Sequence, residues 1–353
     1  MPYKRNQLRS MFFAAVIGFA VLMPGMINKS YAATEPFNLG WLELLREEAV
    51  QKGVKPGTVG RLLPNTLQPL ESVERQSQSQ PEKRATLEDY LSKRVTPHRI
   101  AKGRQMMNDN ASLLGRMERQ HHVPPQLIMS IWAMETSYGS NMGDVNVIRA
   151  LVTVARSRPE YRREVIEALH MIDEGYTQIE TMPGSWAGAF GQTQFIPSSF
   201  RRLAIDGDGD GRKDIWTNLA DIFASTANHL KLSGWKEGEP WGKRVILPPG
   251  FNRDHLTDLK KERVERSKTL QEWAQLGVRL PGGGALPLDY NKPVTLIAPN
   301  YNPQTDREVQ GPVYVVYDNF WTILDYNSSY KYSLAVNMLA DAIGRPQVMR
   351  QPE

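Results

Sequence analysis

The chain contains no cysteine in 353 residues, which excludes a disulfide framework, thiolate chemistry and a lipid-bearing cysteine behind a leader. It also lacks an apolar run of membrane-spanning length at its start. The stretch from Met11 to Met23 is shorter than a bilayer-crossing helix and ends at Pro24-Gly25. No internal repeat is visible, and there is little surplus of charge. The formal charge of +5 includes Lys4, Arg5, Arg9 and Lys29 with no acid before Ala33, so taking those four cations from +5 leaves +1 beyond residue 32. A nucleic-acid partner would need a basic patch with interleaved aromatics; the charges beyond residue 32 are mixed instead, which argues against one.

What is present at the start is a cationic head at Lys4, Arg5 and Arg9, an apolar middle, and the small-residue site Ser30-Tyr31-Ala32 before Ala33. This is the pattern of a secretory signal peptide, with cleavage expected after Ala32. The competing reading is a single membrane anchor, which the short, broken run disfavours. A soluble periplasmic protein with no stable anchor after cleavage is therefore expected. Its length is ample for a real core, as one large domain or two to three small ones.

The first part of the mature chain reads as helical. Trp41, Leu42, Leu44, Leu45 and Ala49 give an amphipathic helix that Gly53 can end; Glu74 to Arg84 reads as a solvated loop; a second helical block opens with Arg99 to Glu118. His121-His122-Val123-Pro124-Pro125 stops one element and starts another, because proline is tolerated in a first helical turn but not inside. The two histidines lack further ligands at metal spacing and read as structural or solvent-facing.

The helix that follows carries Leu127, Ile128, Ile131 and Trp132 on one stripe, and the next position on that stripe is Glu135. A carboxyl there stands where the core side should be. The ordinary fate of such a residue is to turn to water or pair with an arginine. If instead it is partly buried beside Trp132 and Tyr138, its charged form is disfavoured, as a general acid at neutral pH requires. Ser137-Tyr138-Gly139 ends the helix, with Gly139 expected as the left-handed cap.

Two further stretches carry chemistry. Ser185 to Ser199 packs small residues between aromatics and amides, as a groove wall needs when a polar ring-shaped ligand must approach backbone closely. The helical segment before it carries Val147, Ile148, Leu151, Val152 and Val154 and is followed by Arg156, Arg158, Arg162 and Arg163, a basic face that is ordinarily solvated but can hold anionic or carboxamide groups. Asp206, Asp208 and Asp210 with Gly211 match the first half of an EF-hand-like loop, Arg212 would offer its carbonyl at position 7, and Asp214 falls at position 9. Position 12 is Thr217, which cannot supply a bidentate carboxylate, so a weaker, structural calcium site is expected rather than a sensor. An acidic glycine-rich turn without metal is the plainer alternative.

After a helix from Leu219 to Leu232 ended by Ser233-Gly234-Trp235, the pattern turns to β-rich runs at Val245 to Leu247, Val294 to Ala298 and Val313 to Tyr317, with a short helix at Thr269 to Leu276. The chain closes on a helix with Ala335, Met338, Leu339, Ala342 and Ile343 on one face, ended by Gly344 and Pro346, which is expected to dock on the helical core. The fold class is α+β, mainly α.

Met134-Glu135-Thr136-Ser137-Tyr138-Gly139, the Ser185 to Ser199 segment, the Asp206 loop and Asp325-Tyr326-Asn327 occur here in one order, and together they resemble the B-type lytic murein transglycosylases over about Leu39 to Pro346. The resemblance implies a lysozyme-like helical catalytic core and cleavage, without water, of the bond between N-acetylmuramic acid and N-acetylglucosamine in peptidoglycan. Glu135 would protonate the glycosidic oxygen and then act as base toward the muramyl C6 hydroxyl, which closes a 1,6-anhydro ring. Ser185 and Gln194 would contact substrate near the cleaved bond, Tyr326, Asn327 and Tyr332 would line the groove, and the Asp206 loop would bind calcium.

The chain departs from the family pattern in two places. His229 stands where a groove tyrosine is expected, and Arg158 and Arg162 are displaced counterparts of an arginine pair. The organisation expected is a signal peptide over 1–32, an N-terminal helical region over 33–104, the catalytic core with the calcium loop over 105–235, a small β-containing subdomain over 236–318, and a segment and helix over 319–346 packing back on the core. No organic cofactor is implied. Glycan strands are the implied partner, with proteins of wall synthesis or division as candidates. Two rivals stay open: a hydrolytic muramidase drawing a second carboxylate from Asp144, Asp173 or Glu174, and a non-catalytic calcium-stabilised binder of wall glycan.

Overall fold

The computed structural model describes residues 39–345 apart from 79–84, 182, 258–259, 289–290, 303–305, 307–308 and 310. The signal-peptide segment with its Ala32 site, and Pro346, lie outside the described residues. The first elements are α1 (Leu39–Gln51), α2 (Pro56–Leu62), α3 (Glu71–Gln78) and α4 (Leu87–Arg94). In α1 the buried side is Leu42, Leu45 and Ala49, while Leu44 falls on the open side, 58% exposed. The solvated loop expected from Glu74 begins instead as α3, because Val73 and the partly buried Leu70 anchor it to the core.

The helical body continues with α5 (Pro97–Asp109), α6 (Ala111–His121), α7 (Pro125–Thr136), α8 (Val147–Ser157), α9 (Arg162–Asp173), α10 (Gln178–Thr181), α11 (Pro197–Leu203) and α12 (Leu219–Leu232). Its centre is α7. Every residue from Leu127 to Met134 is buried, and α5, α6, α12 and the last helix pack around it. An apolar stripe therefore understates this helix, which is buried all round from Leu127 to Met134 and is partly exposed only at its first two residues, Pro125 and Gln126, and at Glu135.

The remaining elements are β3 (Gly242–Val245), α13 (Leu270–Gln275), β4 (Thr295–Ile297), β5 (Val313–Val316), α14 (Asp318–Tyr326) and α15 (Tyr330–Gly344); a short ladder, β1 (Val145–Asn146) with β2 (Pro183–Gly184), sits earlier. The three-stranded sheet has the order β3-β5-β4, antiparallel throughout, with Val315 opposite both Lys243 and Leu296. Central β5 is buried on both faces. Alternation of side chains along the strand sends Val313 and Val315 into a cluster with Trp273 and Leu256, and Tyr314 and Val316 into another with Phe320, Trp321 and Leu334. That second cluster also takes Leu87 of α4, whose N–H donates to Asn300 Oδ1 at 2.7 Å. Sheet, first helices and closing helices are thereby tied together, and α15 returns to α7.

Candidate active site

Two helices deliver the central contact. Tyr332, in the first turn of α15, donates its hydroxyl to Glu135 Oε1 at 2.5 Å, across 197 residues. Both Tyr332 and the neighbouring Tyr326 have their phenols pushed well above the ordinary range, first by burial and then by the charge of Glu135. Tyr332 therefore stays protonated and remains a donor to this carboxyl. Of the aromatics expected beside Glu135, Trp132 donates its Nε1–H to Gln192 Oε1 at 2.8 Å, and Tyr138 donates its hydroxyl to Arg99 O at 2.7 Å.

Beyond Glu135 the chain leaves α7 through three consecutive left-handed residues, Ser137, Tyr138 and Gly139, with φ of 51°, 62° and 77°. The cap is Ser137 rather than Gly139. Only Gly139 occupies that region without steric cost, and the wall also approaches it closely: a Cβ there would lie 2.3 Å from Gln192 Oε1.

The wall is a set of tight turns. Phe190 and Phe195 pair through both backbone bonds, Ser185 Oγ accepts the Ala189 N–H at 3.0 Å, and Gln194 sits at φ 49° with its carboxamide donating to Met142 O and Gly191 O, both at 3.1 Å. Ser185 and Gln194 thus belong to one rigid loop, with Gln194 tying it to the segment that leaves α7. The loop's floor is aromatic: His229 stacks on Tyr326 with ring centroids 4.6 Å apart, and Phe195 meets both rings.

Tyr326 donates its hydroxyl to Thr193 O at 2.6 Å, so it supports the wall from beneath. Burial, then the charge of Arg202, pushes His229 down to about 3, and the ring is neutral at physiological pH. Asn327 ends α14 and accepts the Ser329 N–H at 3.1 Å on Oδ1. Neither arginine of the expected pair is grouped with Glu135 by any of these contacts. Arg162 is bound to Glu48 of α1, with nitrogens 2.7 and 2.8 Å from its carboxylate, and lies over the Trp41 ring; Arg158 reaches Ser77 O at 3.5 Å.

Of the three carboxylates considered as a second acid, two are engaged elsewhere. Asp173 accepts from Lys55 N at 2.8 Å and Thr58 Oγ1 at 2.5 Å, holding the start of α2, and Glu174 pairs with Arg201 at 2.7 Å. Asp144 is exposed on the loop after α7.

Asp206, Asp208 and Asp210 bring carboxylate oxygens within 4.8 Å of one another. An all-oxygen cluster on an exposed loop is a donor set that suits a hard cation such as calcium. Its shape is set locally: Asp206 accepts the N–H groups of Gly209 at 2.6 Å and Gly211 at 2.7 Å, and these backbone bonds, that of Gly211 foremost, hold its carboxyl below the usual carboxylate range. Asp210 Oδ1 accepts the Arg212 N–H at 2.8 Å. Asp214 stands apart from the cluster. Its Oδ1 accepts from Trp216 N at 2.8 Å and Thr217 N at 2.9 Å, and its Oδ2 accepts from the Thr217 hydroxyl, so the expected position-9 ligand caps a turn.

Two structural participants escaped the reading of the sequence. Asp221 in α12 is fully buried and accepts from Gly207 N at 2.7 Å and Asp214 N at 2.6 Å, pinning both ends of the loop; burial, with the nearby Asp208 and Asp206 charges, pushes its carboxyl up. An acid beside the apolar run Ile222-Phe223-Ala224 in the first turn of α12 was the available signal. Gln192 lies inside the recognised wall, and nothing in its local sequence separates it from its neighbours.

Residues 38–341 match the family described as the transglycosylase SLT domain. The chain is 29% identical over 270 residues to membrane-bound lytic murein transglycosylase B of Escherichia coli (strain K12), covering 73% of this chain and 68% of that one. Among solved structures it resembles SltB3 from Pseudomonas aeruginosa in complex with NAG-anhNAM-pentapeptide, at 38% identity and a TM-score of 0.74 over 86% of this chain and 79% of that one. It also resembles the Escherichia coli lytic transglycosylase Slt35 in complex with calcium, at 25% identity and a TM-score of 0.68 over 86% and 92% of the two chains.

Proposed function

The chain belongs to the transglycosylase SLT domain family, and from that premise we propose that Glu135 is the acid and base of its reaction. The protein is a lytic murein transglycosylase, a lyase that cuts the glycan strands of peptidoglycan and leaves 1,6-anhydro ends. The observation that carries the proposed role of Glu135 is its placement: a partly exposed carboxyl in the last turn of a buried helix, fixed by the Tyr332 hydroxyl.

In the proposed sequence the Glu135 carboxylic acid gives its proton to the bridging oxygen as the bond from muramyl C1 to that oxygen breaks. The resulting carboxylate then takes the proton of the C6 hydroxyl, whose oxygen closes on C1. Glu135 ends protonated as it began, and no water enters. One group suffices because its two proton transfers are sequential. Tyr332 orients the carboxyl throughout, and Ser185 and Gln194, on their rigid loop, are the proposed contacts to the sugars beside the cut. Tyr326 and His229 support that loop from below.

Calcium is proposed at Asp206, Asp208 and Asp210, with Arg212 offering its carbonyl, in a structural role supported by the oxygen cluster and by the calcium complex of Slt35. The complexes of SltB3 with glycopeptides support peptide-bearing glycan strands as substrate. Action in the periplasm after removal of residues 1–32 follows from the leader pattern, and the domain divisions expected from the sequence are retained as proposals.

Digestion of purified sacculi followed by mass spectrometry tests the function. Products lighter by one water than hydrolytic muropeptides are expected from the wild type and none from Glu135→Gln; products of hydrolytic mass would replace this reading with a muramidase.

A further inference from the structure

We infer that Gln192 is a positioning residue for Glu135, joining the last turn of α7 to the exit of the Asp206 loop; the inference rests on the proposed role of Glu135. Both ends of its carboxamide are committed: Oε1 accepts from Trp132 Nε1 at 2.8 Å, and Nε2 donates to Trp216 O at 2.7 Å. Its backbone is committed in the same two directions, with N donating to Ile215 O at 2.8 Å and O accepting from Thr136 Oγ1 at 3.1 Å.

Trp132 and Thr136 are four residues apart, so they stack on one face of α7, and Glu135 projects from the turn between them. One residue therefore grips the acid-bearing turn at two points and fastens it to Ile215-Trp216. That pair is itself fixed to the cation loop, since the N–H of Trp216 is held by Asp214, whose own N–H is held by Asp221.

The surroundings leave this side chain little room. A Cβ on Gly139 would meet Gln192 Oε1 at 2.3 Å, a Cβ on Gly191 would meet Ile215 Cγ1 at 2.8 Å, and the Gly139 N–H closes back on Thr136 Oγ1 at 3.1 Å. Because α7 ends here in three left-handed residues, no following helical turn holds Glu135 from the C-terminal side. Loss of either half of the amide would leave a buried donor or carbonyl without its partner and free the turn to roll. A roll that displaces the carboxyl by an ångström impairs proton transfer without altering the sugar-binding surface.

The test is steady-state kinetics on peptidoglycan strands for the wild type, Gln192→Met, Trp132→Phe and the double variant. Gln192→Met is expected to keep its KM within about twofold and to lose about a hundredfold in kcat. Trp132→Phe removes the donor of the same bond together with the pyrrole part of the ring and is expected to lower kcat likewise, with the double variant no worse than the worse single one. An unchanged kcat, additive losses, or a KM that rises as far as kcat falls would overturn the assignment. Should Gln192→Met not fold, Trp132→Phe and Thr136→Val report on the same turn, and normal kcat in both overturns it. Wild type and Glu135→Gln run alongside separate the two levels. A wild type that yields no anhydro products defeats the function itself, whereas anhydro products with full kcat in Gln192→Met defeat only the positioning role.

Discussion

The Asp206 loop and the Glu135 corner are built by opposite routes. In the loop, Gly209 and Gly211 bond back to Asp206, Arg212 to Asp210 and Thr217 to Asp214, all within five residues. At the corner, Glu135 meets Tyr332 at a separation of 197 residues, Trp132 meets Gln192 at 60, and Tyr326 meets Thr193 at 133. A site folded from neighbours carries its own template; a site folded from distant segments exists only when the whole core does. Damage to the loop should therefore appear mainly as lost stability, and damage to the corner mainly as lost chemistry.

The sharpest way to break that contrast is Glu135→Gln. The amide keeps the shape and an acceptor for Tyr332, so the melting temperature should barely move while turnover falls roughly 10⁴-fold. A variant that still cleared murein at near wild-type rate would remove Glu135 from the reaction.

Acid titration separates the two regions next. His229 is held at about 3 in the folded chain against an ordinary value of 6.5, so the native state disfavours its protonation and an unfolded chain does not. Its contribution to stability is complete above pH 6.5 and is lost as pH falls toward 3, by roughly 1.4 kcal/mol per pH unit at most. Asp206, whose carboxyl the backbone donors hold below the usual carboxylate range, has its charged form favoured by the fold. Melting temperatures from pH 7 to 4 should thus fall less steeply in His229→Phe than in the wild type; equal slopes would place the acid sensitivity elsewhere.

Calcium addresses the loop alone. At a hundredfold excess over its dissociation constant it should stabilise the wild type by about 2.7 kcal/mol, and Asp208→Ala should abolish the rise in melting temperature. No calcium-dependent shift in the wild type would show that the carboxylate cluster binds no such ion. Tyr332→Phe is expected to give the smallest effect, about a tenfold loss of turnover from one hydrogen bond to a charged group, with the ring still filling its place. If the loss came entirely through KM, Tyr332 would be acting on substrate and not on Glu135.

The sequence by itself determined what depends on near neighbours. The spacing of Asp206, Asp208, Asp210 and Gly211 specifies a turn that closes on its own backbone, Pro125 and the apolar run behind it specify a buried helix, and Leu219 to Leu232 is bounded as its pattern indicates. Motif order alone carried the family. The tertiary structure decided which hydroxyl bonds the acid, because Tyr332 reaches it only when α15 folds back onto α7. It also drew Arg162 away to Glu48, made Asp214 a cap, and recruited Asp221 and Gln192. Buried polar groups must find partners wherever packing places them, and a linear pattern does not record which distant donor that will be.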